Sequence, residues 1–220
     1  MSSDHVSQIL EVLQRTKETN TTEDLCGLDH EYLASLGLDL GQPSLTIDRA
    51  TRMNLAVQAV NLGALVASVV GEMTWKDFEV FVARILTENS YQCVESYRRR
   101  GNSEIKGMEI DVVGVRGNRI VAVDAKLWGV RGGKKTALQT AAEKQRERSR
   151  RLANDLSRLA EKIPSLGAQD YRIYSVLVTW LVEEVELHNG VPVVPVFKLN
   201  SFIVDMDQYD DLMVAYRGSL

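Results

Sequence analysis

At 220 residues, with 45% hydrophobic and 25% charged content, the chain has room for one large domain and a small extension, and nothing in this balance suggests wholesale disorder. Its two cysteines, Cys26 and Cys93, lie far apart without CxxC or Cys/His spacing, which excludes a disulfide framework and a zinc pattern. A net charge of −4, taken over the whole chain, argues against a polyanionic partner.

In chain order, MSSDHVSQILEVLQ lacks a basic start followed by an apolar run, so it is not a secretory signal; a soluble protein of the reducing cytoplasm is expected. Residues 3–17 read as an amphipathic helix carrying Val6, Ile9, Leu10 and Leu13, and residues 20–41 as turn-rich with a short helix over 30–36. Pro43 and Ser44 make a linker. Asp48 caps a helix to about Leu62, Gly63 breaks it, and a further turn or two reaches Gly71. The apolar stretch 55–70 is interrupted by Gln58, Asn61 and Ser68 and is too short for a membrane span.

A helix over 75–86 follows, with Thr74 as N-cap and Asp77 completing a capping box. Trp75, Phe78, Val82 and Ile85/Leu86 form its buried stripe, and Glu79 lies beside that stripe. Next come a strand over 91–97 and two strands joined by a turn at Gly114, Gly117 and Asn118. A long helix over 136–163 ends at Pro164, with Leu138, Ala142, Leu152, Leu156 and Leu159 on its apolar side. Strands over 171–181 and 191–198 close the chain, the latter irregular or at an edge because of Pro192 and Pro195. Residues 1–70 thus form a helical region and residues 71–220 an α/β domain.

The stretch GMEIDVVGVRGNRIVAVDAKLW, residues 107–128, is the most informative. It sets Asp111 on one strand and Asp124 and Lys126 on the next. Positions two apart on a strand share a face, about 7 Å apart, so Asp124 and Lys126 point together while Ala125 points away. The turn folds Asp111 back towards Asp124. Two carboxylates suit a hard divalent cation such as Mg²⁺, the Ala125 carbonyl offers a further oxygen, and a lysine can orient a water attacking a phosphodiester. An ordinary Asp124–Lys126 ion pair is the competing explanation. It is disfavoured because RIVAVDAKLW is otherwise apolar on both faces, and charges are rarely buried without a partner or a task.

Asp, hairpin, Asp-x-Lys resembles the PD-(D/E)xK superfamily of metal-dependent nucleases, with Ile110 where the written motif has proline. The upstream segment TWKDFEVFVARILTENSYQCVESYRRR resembles the first helix and strand of archaeal Holliday-junction resolvases and restriction-endonuclease-like proteins. The resemblance implies a restriction-endonuclease-like mixed β-sheet flanked by helices. It also implies Mg²⁺ or Mn²⁺ held by Asp111, Asp124 and the Ala125 carbonyl, with Glu79 joining from its helix and Lys126 activating water. From the later helix, Gln139, Lys144 or Gln145 would contribute a polar group. DNA is the implied partner, cut by a homodimer; no membrane association is expected.

Charge distribution agrees with a nucleic-acid partner. Residues 95–151 hold fifteen Lys/Arg against seven Asp/Glu, leaving eleven against twenty-three elsewhere. Such a patch neutralises phosphates with little regard to sequence. Arg98, Arg99, Arg100, Lys134 and Lys135, the last two in the glycine-rich GVRGGKK, are its candidate contacts, although each singly reads as a solvated charge. Two functions are therefore open: a metal-dependent DNA endonuclease, with an RNA or structure-specific nuclease as its nearest variant, and a non-catalytic nuclease-like module that binds nucleic acid or a protein assembly.

Overall fold

The computed structural model describes residues 2–101, 107–128 and 134–220. It divides into two compact units, Met1–Phe81 and Val82–Leu220, so the division falls inside a helix rather than at residue 70. Among the described residues no helix is long and apolar enough to cross a membrane.

The first unit contains helix α1 (Ser2–Arg15), strand β1 (Thr21–Thr22), α2 (His30–Ser35), β2 (Leu45–Thr46), α3 (Arg49–Asn61), α4 (Val66–Gly71) and the start of α5 (Trp75–Glu88). Its helix ends follow the sequence closely. Asp48 Oδ1 accepts from Thr51 N at 2.7 Å, Gly63 leaves α3 at φ +97°, and Thr74 and Asp77 exchange side-chain and backbone bonds at 2.9 and 3.2 Å as a capping box. Three residues differ from expectation: Trp75 is 54% exposed, its ring under Lys76 Nζ, and Val6 and Leu10 are only partly buried.

Arg52 is the polar centre of this unit. Its guanidinium, wholly buried, donates to the Leu13 carbonyl, Thr16 Oγ1, the Glu72 carbonyl and Asp77 Oδ2 at 2.9, 2.5, 2.7 and 3.1 Å. One side chain thereby ties α1, α3 and the loop before α5 together.

The second unit continues from residue 82 of α5 through β3 (Gln92–Arg99), β4 (Met108–Arg116), β5 (Arg119–Lys126), α6 (Lys134–Ala153), α7 (Leu156–Ala160), β6 (Asp170–Thr179), β7 (Leu187–His188), β8 (Val191–Pro195), α8 (Val196–Val204), a 3₁₀ turn (Met206–Leu212) and β9 (Ala215–Ser219). It is a mixed sheet flanked by helices, in the order β3-β4-β5-β6-β8-β7, with β9 also on β6. β3, β4 and β5 form an antiparallel meander, β5–β6 and β6–β8 are parallel, and β9 runs antiparallel to the first half of β6.

The β4–β5 connection is a two-residue hairpin in which Arg116 faces Arg119 and Gly117 takes φ +57°. Gly114 is not part of that turn. It is buried inside β4, where a Cβ would come within 3.2 Å of Leu86 and Tyr91, so it is the close approach of those side chains that favours glycine there. Ile120 and Ala122 of β5 join the core beneath Leu152, Leu156 and Leu159, which identifies the α6–α7 face of the sheet. Asp124 and Lys126 continue that alternation.

Two expected elements are corrected. The helix over 136–163 breaks at Asn154 and Asp155, residue types that favour helix ends over interiors, and Arg99 Nη1 holds the Asp155 carboxylate at 2.9 Å. The strand expected over 191–198 stops at Pro195, which caps α8, and Val196, Leu199 and Ile203 bury one face of that helix. Cys26 and Cys93 are both free.

Candidate functional site

Asp124 and Lys126 sit at the C-terminal end of β5, paired in parallel with Leu177 and Thr179 of β6. The carboxyl ends of parallel strands are where open α/β sheets leave a crevice. The crevice here is about 550 Å³, bounded by Asp124, Lys126 and Trp128 on one side and Thr136, Thr140, Lys144 and Arg148 of α6 on the other.

The β4–β5 backbone register runs through Val112↔Val123, and one step further it sets Asp111 opposite Asp124. At that step the backbone ladder ends. The Asp111 carboxylate takes over, its Oδ2 accepting the Ala125 N–H at 2.8 Å. In the β3–β4 ladder the position across from Asp111 falls to Ser96, a residue at φ +48° between Glu95↔Val112 and Tyr97↔Ile110. A non-glycine residue in the left-handed region inside a strand is a local distortion of the kind found beside functional groups.

Asp124 is 2% exposed. Lys126 Nζ lies 2.7 Å from its Oδ2 and Arg148 Nη1 2.8 Å from its Oδ1, with Gln145 Oε1 at 3.4 Å from the same guanidinium nitrogen. Asp124 and Lys126 do form an ion pair, with the carboxylate buried and the lysine partly exposed. Gln145 itself is wholly buried, and its Nε2 has no hydrogen-bond partner among the described residues.

Of the three helix residues expected to supply a polar group, Gln145 reaches Asp124 through Arg148, Lys144 is exposed at the cleft, and Gln139 lines neither this cleft nor its neighbour. Arg148 was not singled out from sequence. The signal was its place in α6: Gln145, Ser149 and Leu152 are buried on the inner face, and Arg148 borders them, hidden in the charged run EKQRERSRR.

Glu79 belongs to the first unit, where it is 3% exposed and bonded by Lys76 Nζ at 2.8 Å. Arg98 and Arg99 are paired with Glu109 and Asp155 at 2.7 and 2.9 Å, and Arg100 is exposed. Lys134 opens α6 paired with Glu183 at 2.8 Å, followed by exposed Lys135. The rest of the glycine-rich segment, residues 129–133, lies outside the described residues. A second cleft of about 360 Å³ adjoins the first over Thr140, Lys144 and Arg148 and is bounded further by Arg151, Glu109, Glu143 and Glu147.

Among the described residues no three of His, Cys, Asp and Glu come together as a group able to hold a metal ion. The donors expected from the sequence are the carboxylates of Asp111 and Asp124 and the Ala125 carbonyl. All are oxygens, which suits a cation such as Mg²⁺ that keeps several waters and takes one or two carboxylates.

No family profile matches the chain. It is similar to an uncharacterized protein of Archaeoglobus fulgidus, 29% identical over 137 residues, a stretch covering 62% of this chain and 95% of that protein. Among solved structures it is similar to protein VC1899 from Vibrio cholerae at 14% identity with a TM-score of 0.38. That comparison covers 96% of this chain and 52% of the other, so the chain spans about half the length of that protein.

Proposed function

We propose that the second unit is a restriction-endonuclease-like domain and that Asp111, Asp124 and Lys126 form the hydrolytic centre of a metal-dependent DNA endonuclease. The observation that supports this reading is the buried Asp124 carboxylate with Lys126 Nζ at 2.7 Å, one residue from the amide held by Asp111, beside an open cleft bordered by Lys144 and Arg148. A buried carboxylate with an ammonium and a second carboxylate, next to open space, is a costly arrangement for structure alone.

Asp111, Asp124 and the Ala125 carbonyl would hold Mg²⁺ or Mn²⁺. When bound, the cation supplies Lewis-acid polarisation of the scissile phosphate. Lys126 then orients the attacking water through its ammonium donors and opposes the negative charge that develops at phosphorus. Lys144 and Arg148 bind neighbouring phosphates, and Asp111, bonded to the β5 backbone, keeps its carboxylate at a fixed distance from Asp124. Two such chains acting on the two strands of a duplex would work as a homodimer, which sedimentation at working concentration tests.

One observation favours the second reading, a non-catalytic module: both oxygens of Asp124 are bonded by protein cations. A plasmid-nicking assay with and without Mg²⁺ separates the two. Nicking that requires Mg²⁺ and disappears in Asp124→Asn supports the enzyme; DNA binding without nicking of supercoiled, branched or single-stranded substrates supports the module.

A further inference from the structure

Asp124 faces the cleft with its two oxygens taken, Oδ2 by Lys126 and Oδ1 by Arg148. The four charges of Asp111, Asp124, Lys126 and Arg148 cancel. A divalent cation added to them leaves an excess of two positive charges around the buried Asp124 carboxylate, and it competes directly for the oxygens of Asp124. Something must move, and the two competitors differ in where they can go. Lys126 is anchored two residues along the same strand. Arg148 reaches in from α6, keeps 29% of its side chain exposed, and borders both clefts. Its other hydrogen bond among the described residues, to Gln145 Oε1 at 3.4 Å, is too long to hold a guanidinium strongly. Released from Asp124, Arg148 enters a groove bordered by Lys144 and Arg151 and by Glu109, Glu143 and Glu147; Glu109 and Glu147 are already paired with Arg98 and Arg150, and Glu143 lies 3.2 Å from His188 Nε2, so an incoming anion is the partner not already engaged. A phosphate is an anion that the guanidinium fork matches with two parallel hydrogen bonds.

We propose, resting on the hydrolytic reading above, that Arg148 is an exchangeable counter-ion: it neutralises Asp124 in the metal-free protein and passes to a nucleic-acid phosphate when a divalent cation takes Asp124. The exchange couples the two ligands. The cation frees the arginine for the phosphate, and the phosphate stabilises the arginine away from the carboxylate, so each raises the affinity for the other by the same factor.

The test uses the full chain, Mn²⁺ alone as the metal probe in calorimetry, and a fluorescent duplex oligonucleotide read across salt concentrations with and without Ca²⁺, checked as uncut afterwards. Arg148→Met, which keeps the packing stem, is the principal variant and Arg148→Ala the second. Both should bind Mn²⁺ at least about tenfold more tightly than wild type, the factor corresponding to one lost charge-assisted hydrogen bond. Lys144→Ala removes the same charge from the same cleft without touching Asp124 and should change Mn²⁺ affinity far less. In wild type, adding the cation should steepen the slope of log affinity against log salt by about one phosphate contact, and in the Arg148 variants it should not. Mn²⁺ affinity equal to wild type in both Arg148 variants, or an equal gain in Lys144→Ala, overturns the exchange while leaving the hydrolytic reading standing. Mn²⁺ binding that is absent, or that persists unchanged in Asp124→Asn, overturns both.

Discussion

Asp111 Oδ2 accepts the backbone N–H of Ala125 at 2.8 Å, so one candidate metal-binding carboxylate is bonded to the peptide that follows the other. The bond gives Asp111 a structural role separable from a catalytic one. In Asp111→Asn the amide oxygen still accepts from Ala125, so stability should stay within about 1 kcal/mol of wild type while nicking is lost, because a neutral amide holds Mg²⁺ poorly. In Asp111→Ala both should fall, with the Ala125 N–H losing its acceptor at a cost of about 1–3 kcal/mol. Denaturant melts alongside plasmid nicking check this, and full activity in Asp111→Asn would remove the residue from the site.

The basic patch divides by what its members already hold. Arg98 is 62% exposed and Arg99 is bonded to the partly buried Asp155, whereas Lys144 borders both clefts. Lys144→Ala should therefore weaken duplex binding about equally across sequences and lower the salt slope by up to about one. Arg99→Ala should chiefly lower the melting temperature by exposing the α6–α7 junction. The opposite pattern, a lowered slope in Arg99→Ala with none in Lys144→Ala, would move the phosphate path to the end of β3.

Arg52 carries a prediction for the first unit alone. Its guanidinium and Asp77 are shielded from water, at 0% and 1% side-chain exposure, and removing one partner of a buried pair leaves the other uncompensated. Arg52→Ala should lose about 3–5 kcal/mol, with the Leu13 and Glu72 carbonyls losing their donor as well. Arg52→Lys should recover little, since one ammonium cannot reproduce the spread of a guanidinium. A chemical melt of Arg52→Ala within 1 kcal/mol of wild type would contradict the role of this hub, the threshold being roughly one ordinary hydrogen bond.

The hairpin and its charged triad were legible in the sequence because they depend on local rules: period-2 alternation puts Asp124 and Lys126 on one face, and Gly117 supplies the turn that returns Asp111. Capping at Asp48 and Thr74 is equally local. Arg148 was not legible, because in EKQRERSRR the choice of the cation that turns inward depends on how α6 seats against β5. The same holds for α8: VPVVPVFKL is a short apolar run that strand and helix readings share, and only the packing of Val196, Leu199 and Ile203 decides. β9 has no strong pattern of its own; its pairing to β6 is a tertiary choice.

That pairing depends on a glycine. A Cβ at Gly218 would lie 2.4 Å from the Ala153 carbonyl oxygen and 2.9 Å from Leu156 Cδ1, and the first of these is backbone that cannot swing aside. Gly218→Ala should cost about 1–3 kcal/mol or more by pushing β9 off α6. Faster amide exchange confined first to residues 215–219 is the expected signature, and unchanged protection there would show that the strand shifts without strain.

The final prediction concerns pH and the cluster that links β6 to the 3₁₀ turn. Tyr174 is 1% exposed and its hydroxyl donates to Asp210 Oδ1 at 2.6 Å, while Arg172 holds Asp210 through both carboxylate oxygens at 2.8 and 2.7 Å. Burial first, and then the bond to Asp210, push the Tyr174 phenol from 10.0 up to about 12, against the opposing pull of Arg172 and Arg119. Asp210 moves the other way, held below the usual carboxylate range by the hydrogen bond from Arg172 and then that from Tyr174. A phenol whose folded pKa is raised keeps its proton longer in the folded chain than in the unfolded one. Its contribution is thus complete below the ordinary value of 10.0 and is lost as pH climbs towards about 12, at a rate of no more than about 1.4 kcal/mol per pH unit. Asp210 contributes above the ordinary value of 3.8, and that contribution is lost as pH falls below it. Tyr174→Phe should therefore be less stable than wild type at neutral pH, the gap should narrow as pH rises above 10.0, and the acid limb should change because Asp210 loses a donor. Melting temperatures of the two proteins compared across the alkaline range read this directly; a gap of constant size would mean that the Tyr174 phenol ionises no later in the fold than in the open chain.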